Sequence, residues 1–303
     1  MERKACSTTI SNNEVFEFLR KYGRNTNSFL LAYGGCDWFK WEAPQGLVAY
    51  VCKGHTCVIA GDPLCAPEDA PAVLEAFSHH VGSKYRIMLT LASCWLITQL
   101  KLKGYGALEI CRDPFFDLGN WKPRGNRAKK IRSAVNLARR TGITISAYRP
   151  SERRDLHLEQ EMQNCAKVWL ASQRGFTIRF FSAIRPLECA EEKYYFIAWH
   201  EGRLVGLVTC SPIYARNGWF IEDILRQPQA PYGTTELLIT TTLQSLREEG
   251  FDVATLGPTP FVELETDIKH PQRKLLLRIV LILLRPFYNF RGVVHFRKKF
   301  APT

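Results

Sequence analysis

The stretch that most constrains this chain runs from an apolar segment, Gly218–Leu225, through Glu222, Asp223 and Arg226 into Gln227-Pro228-Gln229-Ala230-Pro231-Tyr232-Gly233 and then Thr234-Thr235. The segment reads as a strand. Pro228 and Pro231 fix φ across a rigid turn, and Thr234 or Thr235 is suited to cap a helix that Gly250 stops. Another strand, Val253–Gly257, follows and opens into Leu256-Gly257-Pro258-Thr259-Pro260. A hairpin about Glu201-Gly202-Arg203 precedes the whole, joining Tyr194–His200 to Leu204–Ser211.

The same order of elements occurs earlier. Helix 13–22, capped by Asn12 or Asn13, leads to strands Asp37–Trp41, Gly46–Lys53 and Thr56–Ala60. A helix over Pro67–Val81 then presents Val73, Leu74, Phe77 and Val81 on one face. Tyr85–Leu91 reads as a buried strand, Cys94–Gly104 as a helix, and Ala107–Asp117 as a strand. Two halves of strands, helix, strand, helix and strand imply an α/β fold with mixed sheets, in two related units. The divisions expected are 1–120, a basic joining helix within 121–145, and 146–303.

Charge narrows the function. Lys and Arg outnumber Asp and Glu by 41 to 29, a net charge of +12, which favours a polyanionic partner such as nucleic acid or an anionic membrane surface. The excess is concentrated in Arg124, Arg127, Lys129, Lys130, Arg132, Arg139 and Arg140, with no carboxylate among them. Such a face suits phosphate contact or a solvated linker helix, and Trp121 beside it would stack on a base or pack underneath. Leu275–Leu284 is an apolar run too short to span a bilayer, with Arg278 inside it, and reads as a core or membrane-surface helix. The N-terminus has no apolar core of a secretory signal. The cysteines lack metal-ligand spacing, and Cys52, Cys165 and Cys210 read as buried thiols. There is no nucleophile elbow, phosphate-binding P-loop or His-Glu-x-x-His, which removes most of the weight from serine hydrolases, P-loop nucleotidases and zinc hydrolases.

The strand-end carboxylates are the candidate chemistry. Regular alternation puts Glu222 and Asp223 on opposite faces, so one of the two would serve a pocket as a proton acceptor or ammonium partner. Arg226 is suited to a phosphate or carboxylate. Acetyltransferase-type folds place the acyl donor at such a strand–turn–helix junction. This turn, however, lacks the glycines whose amides would wrap a pyrophosphate.

Several ordered motifs resemble the C-terminal synthase domain of phosphatidylglycerol lysyltransferases. They are Gly61-Asp62-Pro63, the basic helix with Asn136, Arg226…Gly233-Thr234, Leu256-Gly257-Pro258, and Tyr288-Asn289-Phe290-Arg291-Gly292 followed by Phe296-Arg297-Lys298-Lys299-Phe300. The resemblance covers roughly residues 15–300; Gln227 stands where the family often has a second arginine, and the family's frequent N-terminal membrane helices have no counterpart. It implies tandem acetyltransferase-like (GNAT) domains, and transfer of an amino acid, lysine or similar, from aminoacyl-tRNA to a hydroxyl of an anionic lipid such as phosphatidylglycerol. It implies no cofactor and no metal, and a cytoplasmic enzyme peripheral to the inner face of the cell membrane. Asp223, Glu222 and Arg226 would be catalytic. Gly233, Thr234, Gly257, Tyr288, Arg291, Lys298 and Lys299 would hold the lipid head group or aminoacyl end, and Arg124, Arg127, Lys130, Arg132 and Arg139 would meet tRNA. The alternatives on the same residues are an acyl-CoA-dependent N-acyltransferase, or a non-catalytic RNA- or membrane-binding module.

Overall fold

The computed structural model describes residues 10–107, 109–123, 125, 128–172, 184–260, 295–297 and 299–300. These divide into two compact units: residues up to 107 together with Ile213–Arg216, and the remainder.

In the first unit, helix α1 (Asn12–Tyr22) is capped by Ser11, whose Oγ accepts the Glu14 amide, one residue before the expected asparagines. A short helix α2 (Thr26–Leu30) leads to strands β1 (Asp37–Glu42), β2 (Gln45–Lys53), β3 (Thr56–Ala60) and β4 (Leu64–Cys65). The crossover helix α3 (Ala70–Val81) then returns the chain to β5 (Arg86–Thr90), which pairs with β3 in parallel, and helix α4 (Cys94–Leu102) follows. The sheet is therefore mixed, in the order β1-β2-β3-β5, with β4 paired to β2. Val73, Leu74, Phe77 and Val81 of α3 are buried against Phe39, Val48, Tyr50 and Ile59, as the helical period requires.

Two expectations fail here. β5 is an edge strand and partly exposed rather than buried, since nothing pairs with its second side among the described residues. Cys52 is not a buried free thiol: it faces Cys57 across the β2–β3 ladder, with Cα atoms 4.1 Å apart, and the two form a disulfide. Cys165 and Cys210 are buried free thiols. Asp62 of the Gly61-Asp62-Pro63 turn accepts the Ser93 amide at 2.8 Å and the Asn25 side-chain amide at 2.7 Å. That turn is explained by the start of α4, for which Ser93 is the N-cap.

In the second unit the expected strand 107–117 is interrupted. It forms β6 (Cys111–Arg112) and β7 (Phe115–Asp117), broken at Asp113-Pro114, where proline has no amide to give a ladder. Helix α5 (Lys129–Arg140), strand β8 (Thr144–Tyr148) and helix α6 (Leu156–Ser172) come next. They precede β9 (Tyr194–His200), β10 (Arg203–Ile213) and β11 (Gly218–Arg226). Helix α7 (Thr234–Glu248) and strands β12 (Val253–Thr255) and β13 (Thr259–Pro260) complete the unit. The sheet order is β7-β12-β11-β10-β9-β8, with β11 and β12 parallel, while β13 pairs with β6. Positive φ at Glu201 and Gly202 gives the β9–β10 hairpin its primed turn.

One face of this sheet is covered by α5 and α7 through Ile131, Val135, Ala138, Leu238 and Leu243; the other is covered by α6 through Met162 and Cys165. Trp121 belongs to the first core and donates its Nε1 proton to the Phe300 carbonyl at 2.9 Å, so it packs beneath the basic helix and is not available to stack on a base. Among the described residues no helix is long and apolar enough to cross a membrane. The run Leu275–Leu284 lies outside the described residues.

Candidate functional site

The strand β11 carries Ile221 and Ile224 toward the α5/α7 core and Leu225 toward the α6 core. Residues three apart cannot share a face of a regular strand, so the alternation slips by one residue between them. The hydrogen bonds say what this achieves. Thr209 donates its hydroxyl to Asp223 Oδ2 at 3.0 Å and accepts the Asp223 amide at 3.1 Å, and Ser211 donates its hydroxyl to Glu222. Thr209 and Ser211 are two apart on β10 and lie on one face. Both carboxylates therefore face the α6 side together, correcting the expectation that they diverge.

A third charge completes the cluster. Lys193, just before β9, is fully buried, with Nζ 3.3 Å from Glu222 Oε2 and 3.3 Å and 3.5 Å from the Arg185 and Pro186 carbonyls. Tyr195 next to it donates its hydroxyl to the Pro186 carbonyl at 2.7 Å, and burial pushes that phenol well above its ordinary value. Burial, and then the neighbouring Glu222 charge, raise Asp223 to about 7, against the opposing effects of Lys193 and the Thr209 hydroxyl. A carboxylate that titrates near neutrality and is partly open to solvent has the properties of a proton acceptor.

The backbone leaves room beside it. β11 pairs with β12 only over Gly218–Phe220, so Ile221–Arg226 extend past the parallel ladder. Arg226 is exposed at the strand's end, one residue after Leu225, and the cluster of Lys193, Glu222 and Asp223 forms without it. The turn that follows is closed on itself. Gln227 and Ala230 donate their amides to the Val205 and Gln227 carbonyls, and the two prolines have none to offer. Pro228 and Pro231 thus remove two amides that a pyrophosphate cradle would use, and those of Gln227 and Ala230 are already engaged.

The residues expected to bind the lipid head group or aminoacyl end separate into different environments. Gly233, at φ +87, is the N-cap of α7 and touches α5: a Cβ there would lie 2.2 Å from the Ala134 carbonyl oxygen. Thr234 is buried and donates its hydroxyl to Pro231, a turn bond rather than the cap expected of it. Gly257 lies against the Phe220 ring, where a Cβ would come within 2.6 Å. Lys299 Nζ is 4.0 Å from Glu236 in the first turn of α7. Tyr288, Arg291 and Lys298, with Arg124 and Arg127 of the basic segment, lie outside the described residues.

Arg297 was visible in the tail motif but its role was not. Its Nη1 donates to the Gly257 and Pro258 carbonyls at 2.8 and 2.6 Å, fastening the tail across the turn after β12, while Phe300 enters the core. Arg297→Ala is expected to lower stability by about 2–3 kcal/mol, since two carbonyls lose a charged donor. Urea unfolding measures this, and Arg297→Lys should recover part of it.

The basic helix is amphipathic. Ile131, Ala134, Val135 and Ala138 are buried, while Lys129, Lys130, Arg132, Asn136, Arg139 and Arg140 are exposed on the other side. Arg132 also holds the approach to the helix, donating to the Pro123 and Gly125 carbonyls at 3.0 and 2.9 Å.

Residues 16–303 match the family described as phosphatidylglycerol lysyltransferase, C-terminal. The phosphatidylglycerol lysyltransferase of Staphylococcus epidermidis is 20% identical over 288 residues, covering 94% of this chain and 34% of that protein. The lysylphosphatidylglycerol biosynthesis bifunctional protein LysX of Nocardia farcinica is 26% identical over 222 residues, 71% of this chain and 19% of its own length. The chain thus spans about a third or less of these relatives' length. Among solved structures, L-PGS from Bacillus licheniformis has a TM-score of 0.79 at 19% identity, covering 97% of this chain and 89% of that one, which shows a common fold. With the family match running over nearly its whole length, this chain belongs to the phosphatidylglycerol lysyltransferase C-terminal domain family.

Proposed function

We propose that this chain transfers an aminoacyl group, lysyl or a similar residue, from aminoacyl-tRNA to a hydroxyl of phosphatidylglycerol, with Asp223 as proton acceptor. The observation that carries this reading is a partly buried carboxylate, raised to about 7, where β11 outruns its parallel neighbour. The lipid hydroxyl oxygen attacks the ester carbonyl and its proton passes to Asp223. The tetrahedral intermediate then collapses, the bond to the tRNA ribose oxygen breaks, and that oxygen takes the proton back from Asp223. The ester is already activated, so alignment of the two substrates provides much of the acceleration. Arg226, Arg291, Lys298 and Lys299 supply cations for the lipid phosphate, Tyr288 contributes to the same binding, and Gly233, Thr234 and Gly257 shape the backbone around the site. The closed Gln227–Pro231 turn argues against an acyl-CoA donor.

The exposed face of α5 is the part that meets tRNA, with Lys130, Arg132 and Arg139 among its cations, and with Arg124 and Arg127 in the segment leading to it. Each neutralised phosphate releases counterions. Replacing Lys129, Lys130, Arg139 and Arg140 by glutamine should weaken tRNA binding by about 10- to 100-fold at moderate salt and reduce the slope of log affinity against log salt by about three. Filter binding over a salt series measures both. The protein would act peripherally at the inner face of the cell membrane.

The function is tested by incubating the protein with phosphatidylglycerol vesicles and tRNA charged with a labelled amino acid. Thin-layer chromatography and mass spectrometry should show an aminoacylated lipid. Tight acetyl-CoA binding by calorimetry, with no lipid product, would overturn the reading.

A further inference from the structure

The buried lysine has a use that its packing alone does not explain. Lys193 is enclosed with its ammonium against Glu222, and Glu222 also receives the Ser211 hydroxyl. The Glu222 side chain is 10% exposed and the Lys193 side chain is fully buried, so this pair is held away from solvent. Asp223, on the same face, receives a neutral hydroxyl from Thr209. The two adjacent carboxylates are therefore unlike: Glu222 is in ion-pair contact with the buried cation, while Asp223 is hydrogen-bonded to a neutral hydroxyl and is lowered by that cation's charge.

We infer that Lys193 is a positioning residue that engages Glu222 in a buried ion pair and thereby leaves proton acceptance to Asp223. The inference rests on the aminoacyl-transfer reading for its chemistry, but the charge arrangement is independent of the substrate. Without the lysine, Glu222 and Asp223 become two like charges on one face and compete for a proton. With it, Glu222 is engaged by the ammonium, and the two act on Asp223 in opposite senses, Glu222 raising it and Lys193 lowering it. Among the described residues, Lys193 and Tyr195 on the β9 side, Cys189 in the preceding turn, Thr209, Cys210 and Ser211 from β10, and Cys165 from α6 are titratable or polar groups around the pair. Burial raises the thiols of Cys165 and Cys210, so neither offers a competing charge at neutral pH.

The test compares wild type, Lys193→Met, Glu222→Gln and the double variant. The double variant removes both charges together and keeps the experiment decisive where a single one leaves an unmatched buried group that prevents folding. Two readouts are taken: kcat/KM against pH in the vesicle assay, and the titration of 13C-labelled aspartate and glutamate carboxyls by NMR. The expected result is that the Asp223 carboxyl, and with it the acidic limb of kcat/KM, moves down by about one pH unit in Glu222→Gln and up by about one in Lys193→Met. In the double variant it should move less than in either single variant. An Asp223 titration that stays in place in a folded single variant, or that moves by about one pH unit or more in the double variant, overturns the inference, whether or not transfer is seen. Absence of lipid product from wild type, with the carboxyl shifts as stated, would defeat the transfer reading and leave the role of the lysine supported.

Discussion

Asp223→Asn should reduce transfer by about two to four orders of magnitude while leaving the fold intact, the usual contribution of a positioned proton acceptor. Asparagine keeps the size of the side chain and an oxygen for the Thr209 hydroxyl, so the loss would report proton transfer rather than collapse of the site. Wild-type kcat/KM should rise with pH toward a plateau above about 7, the value to which burial and Glu222 raise this carboxyl. Stability should respond in the opposite direction. The folded protein holds a proton on Asp223 that the unfolded chain gives up near pH 3.9. Between about pH 4 and 7 the native state binds more protons than the unfolded state, so this group's contribution to stability falls as pH rises and levels off above 7. The asparagine variant lacks that loss and should gain stability relative to wild type between pH 5 and pH 8. Urea unfolding at the two pH values measures the gain. Full activity in Asp223→Asn would remove it from the mechanism.

Gly233→Ala should destabilise the protein by about 3 kcal/mol or more, a large effect for a single methyl group. Two penalties add. An L-residue at φ +87 is strained by about 1–2 kcal/mol, and the new Cβ would meet the Ala134 carbonyl oxygen at 2.2 Å and the Ala138 methyl at 3.2 Å. The obstacle is helix backbone, so α5 itself must move away from α7. Gly142 provides the control: its φ is +82, but nothing lies within 4 Å of its would-be Cβ. Gly142→Ala should cost only the conformational part, about 1 kcal/mol. Thermal unfolding separates the two. Equal costs at both positions would show that contact with α5 is not what requires glycine at 233.

Much of the second unit is visible in residue order. The apolar run from Gly218, the prolines of the turn and Gly250 after α7 mark a strand, a turn and a helix because each acts over a few neighbours. The charged and apolar sides of α5 are likewise set by the 3.6-residue period alone. The strand expected over 107–117 fails for an equally physical reason: Pro114 interrupts the ladder, and the two pieces find different partners, β13 and β12. Trp121 carries no local signal to choose between a stacking surface and a core, and only the Phe300 carbonyl and Phe116 ring around it decide.

The sequence by itself determines that two carboxylates stand at the end of an apolar strand, that a rigid, proline-rich turn follows, and that a cationic helix lies elsewhere in the chain. These depend on side-chain type, φ restriction and periodicity, which are local. Tertiary structure decides that Glu222 and Asp223 share a face, that Lys193 is sealed against one of them, and that Arg297 fastens the turn at Gly257. Each depends on a slip in strand alternation, on a neighbouring strand or on loss of solvent. Those arise only when residues distant in the chain are brought together, and they make Asp223 chemically unlike its neighbour.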